Sequence, residues 1–283
     1  MVSMLLALTA IGAAMGALPP TPGASMGAAG LRPRGAPAAW AATSDKALAV
    51  QGGGDWMTDV FAAQIAPMLG TVVANVMFLA SLPAVLDARA AGALGNLNPV
   101  PWAMILANCV AWLHYGYLKA NPFIFFSNAL GTLLGLFYTM TGVALGDAAQ
   151  RARMESIALG FTAVHVAASY VSSLHPASRR SKELLAGYVA NAVVVLYYAA
   201  PLSTMASVVE TRDGSSIHGP LVAINGANGA LWLIYGLTIG DPFVWVPNGV
   251  GSALAAAQLG LKAVFSAAPA PVAAAAAAAA EVL

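Results

Sequence analysis

The charged residues of this 283-residue chain do not scatter along it; they punctuate it. No charge falls between Asp59 and Asp87, Arg89 and Lys119, Lys119 and Asp147, Glu155 and Arg179, Glu183 and Glu210, Asp213 and Asp241, or Asp241 and Lys262. Each of these seven windows holds 20 or more uncharged residues, and a helix needs about 20 apolar residues to cross a hydrocarbon core roughly 30 Å thick. The windows are apolar all round rather than along one stripe, as lipid-embedded helices are. A barrel of outer-membrane type calls instead for alternating segments of about ten residues, which this sequence lacks. The pattern predicts an all-α integral membrane protein with seven transmembrane helices.

Composition removes the other classes. Only 8% of residues are charged, against about 25% in soluble domains, too few for a water-facing surface. A net charge of +1 with no basic stripe leaves no footprint for phosphates, so nucleic acid is not an expected partner. A single cysteine, Cys109, excludes an intramolecular disulfide framework and a multi-thiolate metal site. The chain has no nucleotide loop, HExxH, GxSxG or carboxylate pair, so neither an enzyme nor a bound cofactor or metal is expected.

An internal repeat organises the windows. Residues 108–131 and 228–251 align at a constant offset of 120 with nine identities in 24 positions. These are Asn108/Asn228, Trp112/Trp232, Leu113/Leu233, Tyr115/Tyr235, Gly116/Gly236, Pro122/Pro242, Phe123/Phe243, Asn128/Asn248 and Gly131/Gly251. Upstream, Pro83 and Pro101 match Pro201 and Pro220 with a slippage of one or two residues. The expected division is an N-terminal extension over 1–55, a first triple-helix repeat over 57–146 and a linker helix over 149–180. A second repeat over 183–266 and an Ala/Pro-rich tail over 267–283 complete it. Three helices in tandem invert the second copy, and one extra helix restores its orientation. The expected layout is thus 3+1+3, with parallel repeats about an axis along the membrane normal, as in duplicated secondary transporters. The extension reads equally as a signal peptide, an organelle transit segment or a disordered stretch.

These segments resemble the SWEET family of sugar transporters. The resemblance is carried by S-L-P-A (81–84), A-A-P-L-S-T-M (199–205), W-L-H-Y-G (112–116), W-L-I-Y-G (232–236), S-N-A-L-G (127–131) and P-N-G-V-G (247–251). It covers roughly residues 60–265 and implies a facilitative, bidirectional carrier of a mono- or disaccharide, with the N-terminus outside. The loop from Asp87 to Pro101, the long N-terminal extension, and Asn at positions 108 and 228 depart from the family pattern.

The paired residues suit such a substrate. An amide both donates to and accepts from a sugar hydroxyl, and an indole stacks on the C–H face of a ring. Asn128, Asn248, Trp112 and Trp232 are therefore expected to bind substrate, with Asn108 and Asn228 shaping the pocket one turn before the tryptophans. One isolated Asn reads as glue between helices; a symmetric quartet beside two Trp reads as a cavity. Pro83, Pro101, Pro201 and Pro220 form the tetrad that the resemblance implies is a set of hinges, while static bends and helix starts stay open as their role. Gly131/Gly135 and Gly251/Ala255 read as close helix packing. Deep inside the windows, away from their edges, only His114 and His165 titrate near neutrality, which favours a passive uniporter over a proton-coupled one. A proton-coupled exporter of small metabolites and a non-transporting seven-helix receptor are the alternatives. The expected partners are a neutral sugar and the bilayer, most simply the plasma membrane with an organelle membrane still open. The oligomeric state, a homo-oligomer included, is left undecided.

Overall fold

A computed structural model describes residues 56–174 and 178–265. The N-terminal extension and the Ala/Pro-rich tail of the preceding section lie outside the described residues. Within them the chain is seven helices: α1 (Met57–Ala91), α2 (Val100–Leu118), α3 (Pro122–Leu145), α4 (Ala148–Leu174), α5 (Arg179–Thr211), α6 (Gly219–Thr238) and α7 (Pro242–Phe265). α1 carries a π-helical turn at Phe61–Ile65 and a break at Ser81. Five of the seven (α1, α3, α4, α5 and α6) are long and apolar enough to cross a membrane by themselves. α2 and α7 fall short because Asn, Trp, Tyr, His, Pro and Gly dilute their aliphatic residues. Outward-facing side chains are apolar: Leu133, Leu159 and Val195 are 68%, 70% and 65% exposed, as lipid-facing residues are.

Helix boundaries follow from local chemistry. Pro101, Pro122, Pro220 and Pro242 sit in the first turns of α2, α3, α6 and α7, where the missing N–H has no intrahelical partner to lose. The side chains of Asn121, Ser178 and His218 cap α3, α5 and α6 by accepting from the backbone N–H of Ile124, Ser181 and Leu221. α2 and α6 end in the same way. Asn121 N–H donates to Gly116 O and Ala120 N–H to Tyr117 O, while Asp241 N–H donates to Gly236 O and Gly240 N–H to Leu237 O. Both turns are Schellman motifs, which place one residue in the left-handed region.

The packing order gives the architecture. In each triple the third helix lies between the other two: α3 packs on α1 and α2, and α7 on α5 and α6. Across the triples, α2 packs on α5 and α1 on α6. Six helices therefore close a ring in the order α1–α3–α2–α5–α7–α6, and α4 lies outside it against α2, α3 and α5. Glycines set the closest approaches. A Cβ at Gly116 would lie 2.7 Å from Phe125 N, and one at Gly236 would lie 2.6 Å from Trp245 N. The contacts repeat because the residues do. Gly131 likewise faces Phe78 and Cys109, and Gly135 faces the Leu106 backbone, as expected of small residues at a helix crossing.

One proline inside a helix is compensated by a neighbour. Pro247 in α7 leaves Phe243 O without its usual N–H, and Asn191 Nδ2 on α5 donates to that oxygen at 3.2 Å. The Tyr198 hydroxyl on α5 donates to Pro247 O. Pro201 lies within α5 and Pro83 just after the break at Ser81. Pro101 and Pro220 start α2 and α6, so all four expected hinge positions lie toward the same end of the ring.

The left-handed residue of the first Schellman motif is Ala120 (φ 51°), whereas its repeat mate is Gly240 (φ 63°). Because that region costs an L-residue about 1–2 kcal/mol, Ala120→Gly is expected to stabilise the chain by about 1 kcal/mol. Gly240→Ala should destabilise it by a similar amount. Thermal melting in detergent, read by tryptophan fluorescence, checks the opposite signs.

Candidate functional site

α2 and α6 face each other across the ring and bring the two tryptophans into one buried cluster. Trp112 and Trp232 are 8% and 7% exposed and share that cluster with Tyr115, Tyr235, Ala186, Ala190 and Val193. Each indole meets the tyrosine one turn further on edge to face, at 5.7 Å for Trp112–Tyr115 and 5.9 Å for Trp232–Tyr235. α1 makes room with a glycine: a Cβ at Gly70 would lie 2.8 Å from Trp232 Nε1.

The paired asparagines occupy equivalent, half-buried places. Asn128 Nδ2 donates to Ile124 O at 2.8 Å and Asn248 Nδ2 to Val244 O at 2.7 Å, each one turn back on its own helix. Neither side-chain oxygen accepts a hydrogen bond from the described residues. Asn228, one turn before Trp232, has a buried Oδ1 with no partner, and its repeat mate Asn108 reaches the Cys109 thiol. A further asparagine was not singled out by the sequence. Asn75 on α1 is 7% exposed with a partnerless Oδ1, on the buried stripe that includes Gly70 and Thr71. Its signal was a lone amide in an apolar window, but its repeat mate is Val195, so a search for duplicated residues passes over it. A buried, unpaired acceptor costs about 1–3 kcal/mol.

A cleft of about 470 Å³ opens between the starts of α2 and α4 and the middle of α5, on the side of the ring where α4 packs, lined by Asn98, Val100, Pro101, Met104, Ala149, Gln150, Arg153, Leu196 and Tyr197. It contains none of the six expected binding residues and one expected hinge, Pro101. Tyr197 forms the link, since it lines the cleft and also packs against the tryptophan cluster. Trp112 lies eight residues beyond Met104, about 12 Å along the helix.

The opposite end is shut by reciprocal hydrogen bonds between the repeats. The Tyr115 hydroxyl donates to Asp241 Oδ1 and Oδ2 at 2.9 and 2.7 Å, and Asn121 Nδ2 donates to the Tyr235 hydroxyl at 2.7 Å. The partners are repeat mates in both cases, Tyr115/Tyr235 and Asn121/Asp241, so the two bonds are one contact made twice. Asp241 is 3% exposed, and it also accepts from Phe243 N–H at the start of α7. Lys119 Nζ lies 3.5 Å from Asp241 and 3.7 Å from Glu183, while Arg179 meets Glu183 at 3.0 Å and donates to Leu118 O. In the sequence Asp241 served only as a boundary between windows; its identity as the carboxylate mate of Asn121, beside the Pro122/Pro242 pair, was the available signal.

The two bonds differ in strength. A hydrogen bond to a carboxylate contributes about 1.5–3 kcal/mol and a neutral one about 0.5–1.5 kcal/mol. Tyr115→Phe is therefore expected to open this end more than Tyr235→Phe does. Labelling of a cysteine at Val193, in a Cys109→Ala background, by an impermeant maleimide applied from this side measures the opening. The expected order of rates is Tyr115→Phe, then Tyr235→Phe, then the parent protein.

Comparison with known proteins agrees with this architecture. The family model described as "Sugar efflux transporter for intercellular exchange" matches residues 64–145 and 184–270. The bidirectional sugar transporter SWEET2a of Oryza sativa subsp. indica is 28% identical over 207 residues, covering 71% of this chain and 83% of that protein. The sugar transporter SWEET1 of Drosophila pseudoobscura pseudoobscura is 31% identical over 172 residues, covering 60% of this chain and 75% of that protein. A solved eukaryotic SWEET transporter shares the fold with a TM-score of 0.62 at 23% identity, covering 75% of this chain and all of its own. Two matched segments, one on each triple-helix bundle, account for more than half of the sequence, and the chain belongs to the SWEET family of seven-helix membrane proteins.

Proposed function

We propose that the protein carries a neutral mono- or disaccharide across the membrane by facilitated diffusion in either direction. The observation that carries this reading is the set of amide oxygens on the ring helices, at Asn75, Asn128, Asn228 and Asn248, that no donor among the described residues satisfies. Sugar hydroxyls are donors for those oxygens, and the indoles of Trp112 and Trp232 offer apolar faces for the ring. Asn108 completes the pocket on the α2 side. The names of the relatives, bidirectional sugar transporters in rice and Arabidopsis, point to the same substrate class.

In the proposed cycle the two triple-helix units, 57–146 and 183–266, rock about the axis between them, with the linker helix joining them. Sugar enters by the cleft, displaces Tyr197 and reaches the amides. Breaking of the Tyr115–Asp241 and Asn121–Tyr235 bonds then opens the other end. Pro83, Pro101, Pro201 and Pro220, all near the cleft end, are the bending points. The latched end faces outside, the cleft faces the cytosol, and the plasma membrane is the proposed location. No ion enters the cycle, so flux follows the sugar gradient alone.

Uptake of radiolabelled glucose and sucrose into proteoliposomes, with and without a protonophore, tests the reading. Saturable flux in both directions that ignores the protonophore is expected; loss of flux with the protonophore, or no flux of either sugar, contradicts it. Asn128→Ala and Asn248→Ala should each lower uptake at least tenfold, and uptake equal to the parent would remove these residues from the site. Asn75→Leu separates function from stability. It removes a partnerless acceptor, so the melting temperature should rise while sugar affinity falls.

A further inference from the structure

The structure joins two histidines that the duplicated site does not use. His114 on α2 and His165 on α4 lie next to each other with ring centres 5.8 Å apart and planes tilted by 53°. Both are half-buried, and neither imidazole makes a hydrogen bond with the described residues. An ionisable side chain within a membrane helix is costly unless a partner is at hand, and among the described residues each of these has the other beside it. The repeat supplies no structural reason for them. The mate of His114 is Ile234, and α4 has no counterpart in either copy.

Two imidazoles on neighbouring helices match one borderline metal ion. With metal–nitrogen bonds of about 2.05 Å and a tetrahedral angle, ligating ring centres lie about 5.2 Å apart. The observed pair thus needs to close by about 0.6 Å, within reach of a small side-chain rotation. Imidazole nitrogen selects zinc, copper or nickel over magnesium and calcium, which prefer oxygen. No cluster of three or more metal-ligating side chains is found among the described residues, so water would fill the other positions and binding would be reversible. His114 lies four residues, about 6 Å, from the end of α2, close to water at the latched end.

We propose that His114 and His165 form a divalent transition-metal site that ties the linker helix to α2 and, when filled, slows transport. α2 carries Trp112 and Tyr115, so an ion fixing it to α4 restrains both the sugar site and the latch.

The full-length protein, purified without a histidine tag, tests this with Cu²⁺ as the probe. Electron paramagnetic resonance of the parent should show nitrogen hyperfine structure from two imidazoles, displaced by Zn²⁺. His114→Ala, His165→Ala and the milder His114→Gln and His165→Gln should each lose that signature, with at least a tenfold loss of Zn²⁺ affinity. His175→Ala and His218→Ala should keep it. Zn²⁺ should also inhibit sugar exchange, with a half-inhibitory concentration at least tenfold higher in each single variant. An unchanged copper spectrum in both His165 variants overturns the site, and equal zinc sensitivity of parent and variants overturns the brake. The spectrum does not depend on which solute is carried, so failure of the sugar reading cannot be mistaken for failure of this one.

Discussion

Tyr115 and Asp241 come from different copies of the repeat, and the hydrogen bond between them ties the two copies together at one end of the ring. The bond is short, buried and charge-assisted, and its repeat mate, Asn121–Tyr235, doubles it with a neutral acceptor. Because the two contacts are related by the pseudo-two-fold axis, they pull α2 toward the start of α7 and α6 toward the start of α3 together. Units held together at one end of a rigid interface can separate only at the other, the end where α2, α4 and α5 line the cleft. The energy involved, a few kcal/mol for both bonds, is large enough to favour one state and small enough to exchange.

The asparagines show how one residue type divides between structure and site. Asn191 sits at the repeat position of Thr71, and its amide replaces the backbone donor that Pro247 removes from α7. Asn121 spends its oxygen on the cap of α3 and its nitrogen on Tyr235. Asn128 and Asn248 instead turn their nitrogens back to their own helices. Their oxygens accept no hydrogen bond from the described residues. The oxygens of Asn75 and Asn228 are buried without a partner among the described residues, which is expensive to keep in a medium without water, so the unmatched acceptors, rather than the asparagines as such, draw attention.

Much of this was readable from the sequence because membrane insertion makes charge so informative. Seven uncharged windows became seven helices, and the offset-120 matches became equivalent contacts, down to Gly116 on Phe125 and Gly236 on Trp245. The tryptophans that the repeat singled out do meet in one cluster. Other features were hidden for physical reasons. The ring order, with the third helix of each triple in the middle, depends on side-chain fit that apolar windows do not encode. Asp241 was hidden by the rule that exposed the windows, since a charge between two of them looks like solvent-facing punctuation until its buried partner is seen. Asn75 and the pair His114–His165 break the repeat, so a search for duplicated chemistry discounts them. Pro101 and Pro220 fall at helix starts, where proline fits without distorting anything, so grouping them with Pro83 and Pro201 as one tetrad does not imply a shared geometry.

The central claim is that closure at the latched end and closure at the cleft end exclude one another. Distances between paired spin labels, one pair across Lys119 and Glu183 and one across Met104 and Leu196, measured by double electron–electron resonance in nanodiscs with and without sugar, test it directly. Anticorrelated populations are predicted, with the latched-end distance lengthening as the cleft-end distance shortens, and with Tyr115→Phe shifting both in that sense. Distances that change together, or a cleft that narrows while the latch stays closed in every condition, would contradict the account.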